Sequence, residues 1–193
     1  MEAGKINVYP HRSWVVFLVT TSLFSSQALL MLHSLLEQRL PVLGHRNWIV
    51  IADMAYPQQS NPGIETVYIG GDHLDAVHEM LTLLDKAPHL RPTIFVDHEL
   101  ELVSEKNAPG ISAFRDELHC ELGEHTVQQL PHEDIIRKLD EAAKIFSILI
   151  LKTDFILPYT SVFLRMECGY WTQESERELQ KAMHAHKENL VLT

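Results

Sequence analysis

The stretch LGHRNWIVIADMAYP runs from Leu43 to Pro57. Its centre, Trp48–Ala52, is a continuous apolar run with the length and β-branched content of a strand. Continuous rather than alternating burial is the mark of a strand covered on both faces, as in a parallel sheet. A Gly-His pair, Gly44 and His45, precedes it, and Asp53 stands where the run stops. In open α/β sheets, ligands collect at the carboxyl ends of the strands. Asp53 is therefore a candidate ligand group and equally a turn cap. Two further runs repeat the pattern. PTIFVD (Pro92–Asp97) ends in Asp97, and SILIL (Ser147–Leu151) is followed by Asp154. Each of these carboxylates is a candidate, and each reads equally as a loop residue in water.

Outward from these strands the chain alternates with helices. Leu29, Leu30, Leu32, Leu35 and Leu36 repeat at helical spacing behind Ser25 or Ser26, which predicts a helix over 26–38 that ends at Leu40-Pro41. Glu65–Gly70 reads as a short strand. Asp72 then caps a helix carrying Leu74, Val77, Met80, Leu81 and Leu84, stopped by Pro88 and Pro92. Residues 99–131 are polar and irregular and read as an insertion, with one candidate helix closed by Gly123. Pro131–Phe146 is amphipathic, with Ile135, Ile136, Leu139, Ala143 and Phe146 inward. Ser161–Met166 is the last strand, and residues 171–193 form a polar C-terminal helix. The expected fold is α/β: a single domain over residues 25–170 with a largely parallel sheet covered by helices on both faces.

The chain has 193 residues and a formal net charge of −10, with no cluster of Lys and Arg. A nucleic-acid partner and an anionic membrane surface are therefore not expected. Cys120 and Cys168 sit in no CxxC pattern and read as free thiols of a reducing compartment, which makes the expected location cytoplasmic. Residues 1–24 supply the alternative. Trp14–Phe24 is apolar behind Lys5 and Arg12, and Ser26–Ala28 has the shape of a cleavage site, as in a signal peptide for export. No membrane contact is expected unless that segment is retained.

Walker, GxSxG, HExxH and GxGxxG patterns are absent, so nucleotide, flavin and serine-nucleophile chemistry have no support. Asp97–Glu99 and Gly71–His73 invite a metal reading, but neighbouring side chains diverge on strands and caps, and no metal site is expected. What remains is a set of polar groups beside apolar strands. His45 lies in a turn, Asp53 at a strand end, and His132 at a helix start. Tyr159, Thr160 and Ser161 supply the donors and acceptors that a polyhydroxylated ligand needs. Each also has a plain structural reading as a surface histidine, a cap or an ordinary loop hydroxyl.

Taken in order, a helix, LGHRNWIVIADMAYP and, much later, LKTDFILPYTSVFL resemble the D-ribose pyranase and L-fucose mutarotase family. Members carry a Gly-His dipeptide, an apolar strand ending in Asp, and Pro-Tyr-x-Asn before a final strand. The resemblance covers roughly residues 25–170. It implies a cofactor-independent isomerase, with His45 as general acid and Asp53 binding sugar. Tyr159, Thr160 and Ser161 fall on the Tyr-x-Asn segment, where Ser161 departs from asparagine. His132 is the candidate for a basic or imidazole group near the late helix. The resemblance also implies ring-shaped homo-oligomers with sites at subunit interfaces.

The chemistry agrees with the residues. Opening a sugar hemiacetal requires one proton delivered to the ring oxygen and one removed from the anomeric hydroxyl, and a histidine serves either role near neutral pH. Eight residues separate His45 from Asp53, and an extended chain of that length spans about 26 Å. Either the chain folds back before Trp48, or the two residues serve one site from different subunits. The leading expectation is an isomerase that interconverts ring forms or anomers of a ribose- or fucose-like sugar. A non-catalytic monosaccharide-binding protein and an oligomeric structural protein are the alternatives.

Overall fold

The strand Trp48–Ala52 (β1) is buried at every residue, because apolar side chains leave it toward both faces of a sheet. The computed structural model describes the backbone of residues 13–191 and the side chains of residues 26–184 and 186. In chain order the elements are α1 (Ser13–Arg39), β1, β2 (Ile64–Tyr68), α2 (His73–Asp85), β3 (Leu90–Asp97), α3 (Ile111–Leu122), β4 (Val127–Leu130), α4 (His132–Ala142), β5 (Ile148–Lys152), β6 (Val162–Cys168) and α5 (Gln173–Val191). The strands make one six-stranded sheet in the order β2-β5-β1-β6-β3-β4.

The two faces of β1 follow its residue parity. Ile49 and Ile51 join the core beneath α1, α2 and α3, with Leu36, Met80, Phe114 and Leu164. Trp48, Val50 and Ala52 point the other way, into a smaller core with Phe95, Phe163, Ile135 and Leu139 under α4. Helices thus cover both faces, three on one and one on the other. On the α4 side the rings of Trp48 and Phe95 lie 5.3 Å apart. Asp72 caps α2 as its sequence position predicts, accepting from the backbone N–H groups of Leu74 and Asp75.

The sheet is mixed rather than largely parallel. β1, β2 and β5 run parallel to one another, as do β3 and β4, but β6 is antiparallel to both β1 and β3. The cause is the connection. Only nine residues, Thr153–Ser161, join β5 to β6, fewer than the dozen or so that a crossover to a parallel strand takes. The chain therefore turns over the carboxyl end of β1 and enters β6 from that same end.

Residues 99–131 are ordered rather than irregular. A 3-10 turn (His98–Leu102), α3 and β4 occupy them, and Ile111, Phe114, Leu118 and Leu122 of α3 are buried. The first helix begins at Ser13, not at Ser25 or Ser26. No Gly or Pro interrupts residues 13–39, and serine inside a helix is only mildly unfavourable. The candidate leader therefore overlaps α1, and its first twelve residues lie outside the described ones. Among the described residues, no helix is long and apolar enough to cross a membrane.

Candidate active site

The antiparallel insertion of β6 assembles the site. Val162 pairs with Ile51 on one side and with Val96 on the other. Continuing that register by one residue sets Ala52, Ser161 and Asp97 abreast at the carboxyl end of β1 and β3. Asp97 shares the parity of Phe95, so its side chain goes to the α4 face. The first residue of α4, His132, lies over it.

There the His132 Nδ1 sits 3.0 Å from Asp97 Oδ2. Asp97 is only 1% exposed, while the His132 side chain keeps 31%. The second oxygen of Asp97, Oδ1, is buried without a hydrogen-bond partner. Burial pushes the Asp97 carboxyl up to about 6, and the nearby carboxylates of Glu99 and Asp53 push the same way, while His132 opposes them. Glu99 takes the backbone N–H of His132 on both carboxylate oxygens, at 3.1 and 3.0 Å, and so closes the start of α4.

Asp53 leaves β1 in a turn of its own making. Its Oδ1 accepts from the backbone N–H of Ala55 at 2.8 Å, and its Oδ2 accepts from the Ser161 hydroxyl at 3.3 Å. Ser161 is thereby directed at Asp53. Thr160 is fully buried, and its hydroxyl donates to the Leu157 carbonyl at 2.9 Å. Tyr159 is the exposed member of the three. Its backbone is left-handed at φ 58°, and its ring stands edge-on to His132 with centroids 5.8 Å apart. The structure therefore brings Asp53, His132, Tyr159 and Ser161 to one end of the sheet and turns the Thr160 hydroxyl inward.

Three further residues lie at or behind this cluster that the sequence did not assign to a sugar site. Asp97 stood among the strand-end carboxylates, but its pairing with His132 needs the β6 register to be seen. Tyr56 is buried on the same face. Burial raises its phenol above the ordinary range, helped by Asp140, Asp97 and Asp53, and it stays neutral. His73, the last residue of the Gly71–His73 triplet, is fully buried. Its Nε2 donates to the Thr160 carbonyl and its Nδ1 meets the Thr153 hydroxyl, both at 2.9 Å. It also stacks on Phe155 at 5.3 Å. Burial pushes His73 down to about 4, so it is neutral and pins the loop that presents Tyr159.

His45 lies at the other end of β1. A turn holds it there: Asn47 N–H donates to the Gly44 carbonyl, Asn47 Oδ1 accepts from Gly44 N–H, and Arg46 adopts φ 75°. Half exposed, His45 meets Glu167 through Nδ1 at 3.1 Å. Arg165 shares Glu167, at 2.7 Å. A cleft of about 1040 Å³ opens around His45, lined by Trp48, Leu130, Arg137, Phe146 and Arg165 among others. Since β1 runs straight between them, one chain does not bring His45 to Asp53.

The chain is similar to RbsD and FucU structures. Bacillus subtilis RbsD, solved with D-ribose, is 22% identical, with 72% of this chain and 94% of that chain covered at a TM-score of 0.47. The fucose mutarotase of Streptococcus pneumoniae, solved with L-fucose, is 22% identical, covering 67% and 89% at 0.45. FucU from Bifidobacterium longum is 17% identical, covering 69% and 92% at 0.47. No protein-family model matches the chain, and no curated protein sequence does. Among the described residues, no group of three or more His, Cys, Asp or Glu is arranged to hold a metal ion.

Proposed function

We propose that the protein is a cofactor-independent monosaccharide isomerase that interconverts ring forms or anomers of a ribose- or fucose-like sugar. The observation that carries the reading is the cluster at the carboxyl end of the sheet. There an imidazole anchored on a buried carboxylate, a second carboxylate and an exposed phenol converge within a few residues' reach. Carboxylates and a phenol hold sugar hydroxyls, and an imidazole exchanges protons near neutral pH. Tyr159 and Asp53 are the sugar contacts. Ser161 contributes by fixing Asp53, and Thr160 by shaping the loop.

Ring opening also needs an acid, and the proposal gives that role to His45 of a second copy. The His45 cleft is the surface on which the neighbour's Asp53–His132 end would seat, so the active species is a homo-oligomer. The free thiols Cys120 and Cys168 support work in a reducing, cytoplasmic compartment.

Magnetisation-exchange NMR on D-ribose, L-fucose and a panel of other monosaccharides tests this. Accelerated exchange between anomers supports the isomerase, and its absence with every sugar overturns it. The buried Ser161 hydroxyl, turned to Asp53, leaves the ligand one polar group fewer and favours a second reading, monosaccharide binding without turnover. Saturation transfer without anomer exchange would establish that reading instead. Light scattering that reports a lone 22.1 kDa chain at micromolar concentration would remove the shared site.

A further inference from the structure

His132 has two ring nitrogens in unlike surroundings. Nδ1 faces Asp97 Oδ2 at 3.0 Å, whereas Nε2 makes no hydrogen bond to any described residue. Asp97 has a single side-chain partner, since its Oδ1 is buried and unpaired. A buried carboxylate with one neighbour is tolerable as an anion only if that neighbour donates to it. Nδ1 therefore carries the proton that lies between the two groups. The neutral imidazole then has its lone pair on Nε2, across the ring from Asp97.

We propose that Asp97 is a positioning residue that makes His132 the proton acceptor of ring opening, holding the ring through Nδ1–H so that Nε2 receives the anomeric proton. The proposal rests on the isomerase reading above. The proton on the anomeric oxygen passes to Nε2, and the electron pair of that O–H bond forms the carbonyl at the anomeric carbon. The bond from that carbon to the ring oxygen breaks with its electrons going to the ring oxygen, which takes a proton from the acid. Closure on the opposite face runs the same transfers backward, and no redox partner takes part. Asp97 stays ionised throughout and stabilises the imidazolium that forms beside it.

The other groups around the pair fit this assignment. Glu99, on the turn after β3, and Asp53, at the end of β1, add negative charge near Asp97, and Glu99 also accepts the backbone N–H of His132. Tyr56 is buried on the α4 face as a neutral phenol, and the Tyr159 ring stands edge-on to His132. The burial that lifts Asp97 to about 6 also sets the lower limit of the working range, because a protonated Asp97 no longer supports the imidazolium.

The test uses the full chain with a sugar that the wild type exchanges, and two variants. Asp97→Asn keeps the shape and removes the charge, and Asp97→Ala removes the acceptor. With folding confirmed by circular dichroism, Asp97→Asn is expected to lower kcat by about 10²-fold, within the usual worth of an acid–base group. KM should change by less than about threefold, since the charge develops in the transition state. The acid limb of kcat/KM should move to lower pH, which a merely structural residue would not cause. Nitrogen-15 spectra of the imidazoles add a readout free of activity. Wild-type His132 is expected as the Nδ1–H tautomer, and Asp97→Ala should lose that preference. A wild-type Nε2–H tautomer, or an Asp97→Asn variant with unchanged kcat and unmoved pH profile, overturns the proposal alone. A wild type that exchanges no sugar overturns it together with the isomerase reading.

Discussion

Replacing Asp97 with asparagine should make the protein more stable at neutral pH, and the gain should shrink as the solution is acidified. The carboxyl is 1% exposed and its Oδ1 has no partner, so ionisation inside the fold is unfavourable. It keeps its proton up to about 6 instead of the ordinary 3.8. At about 1.4 kcal/mol per pH unit, that interval weighs against the folded state by about 3 kcal/mol once the pH is above 6. The sign follows from proton counting. Between 3.8 and 6 the folded chain binds more protons than the unfolded one, so wild-type stability falls as pH rises through that window. Asp97→Asn has no such loss. Its advantage should be about 2–3 kcal/mol at pH 8, or roughly 5–10 °C in Tm for a chain of this size, and should vanish near pH 4. Urea unfolding followed by circular dichroism, at one fixed protein concentration and several pH values, measures the difference. All other titrating groups are common to both proteins and cancel. If the variant is no more stable at pH 8, or its advantage grows on acidification, the burial argument for Asp97 fails.

The remaining predictions concern other parts of the fold. His73 is neutral in the fold down to about 4 but protonates near 6.5 when unfolded. Its burial should therefore remove about 3 kcal/mol of stability as pH falls through that interval; a His73→Gln variant whose urea midpoint shows the same acid slope would contradict this. Gly169→Ala would place a Cβ 2.4 Å from the Pro88 carbonyl oxygen and 2.9 Å from that of Leu90. Both are backbone atoms, so a loss of about 1–3 kcal/mol is expected in the same urea experiment. His45→Ala should leave the unfolding curve nearly unchanged, because the side chain is half exposed. It should slow sugar exchange by about 10²–10⁴-fold, and a folded variant with wild-type exchange would take His45 out of the mechanism.

Much of the fold is legible in the sequence because its signals are local. β1 is read to the residue from one apolar run, and α2 from Asp72 with the leucines behind it. What is not legible depends on partners distant in the chain. β4 reads Val-Gln-Gln-Leu, pairs only with β3 at the sheet edge and buries no residue fully, so it carries no hydrophobic signal. The direction of β6 is decided by the length of the Thr153–Ser161 connection and by where β6 inserts, not by its composition. The site divides in the same way. Asp53 and Tyr159 stand out as a strand end and a loop phenol. The support of His132 by Asp97 appears only when residues 35 apart in sequence meet at 3.0 Å. Thr160 and Ser161 look like ligand hydroxyls in the sequence because nothing local shows that both are buried.

The position of β6 also has a kinetic meaning. Of the six strands this one is synthesised last, yet it forms the seam between β2-β5-β1 and β3-β4. Until it docks, β1 and β3 each present an open apolar edge to whatever is near, including another nascent chain. Closure of the sheet therefore waits on contacts between residues about 115 apart, such as Ile49 with Leu164, a topology that slows folding relative to local pairing. Conditions that delay release of the segment around Phe163 should favour aggregation over folding, and a chaperone that shields those two edges would act at this step.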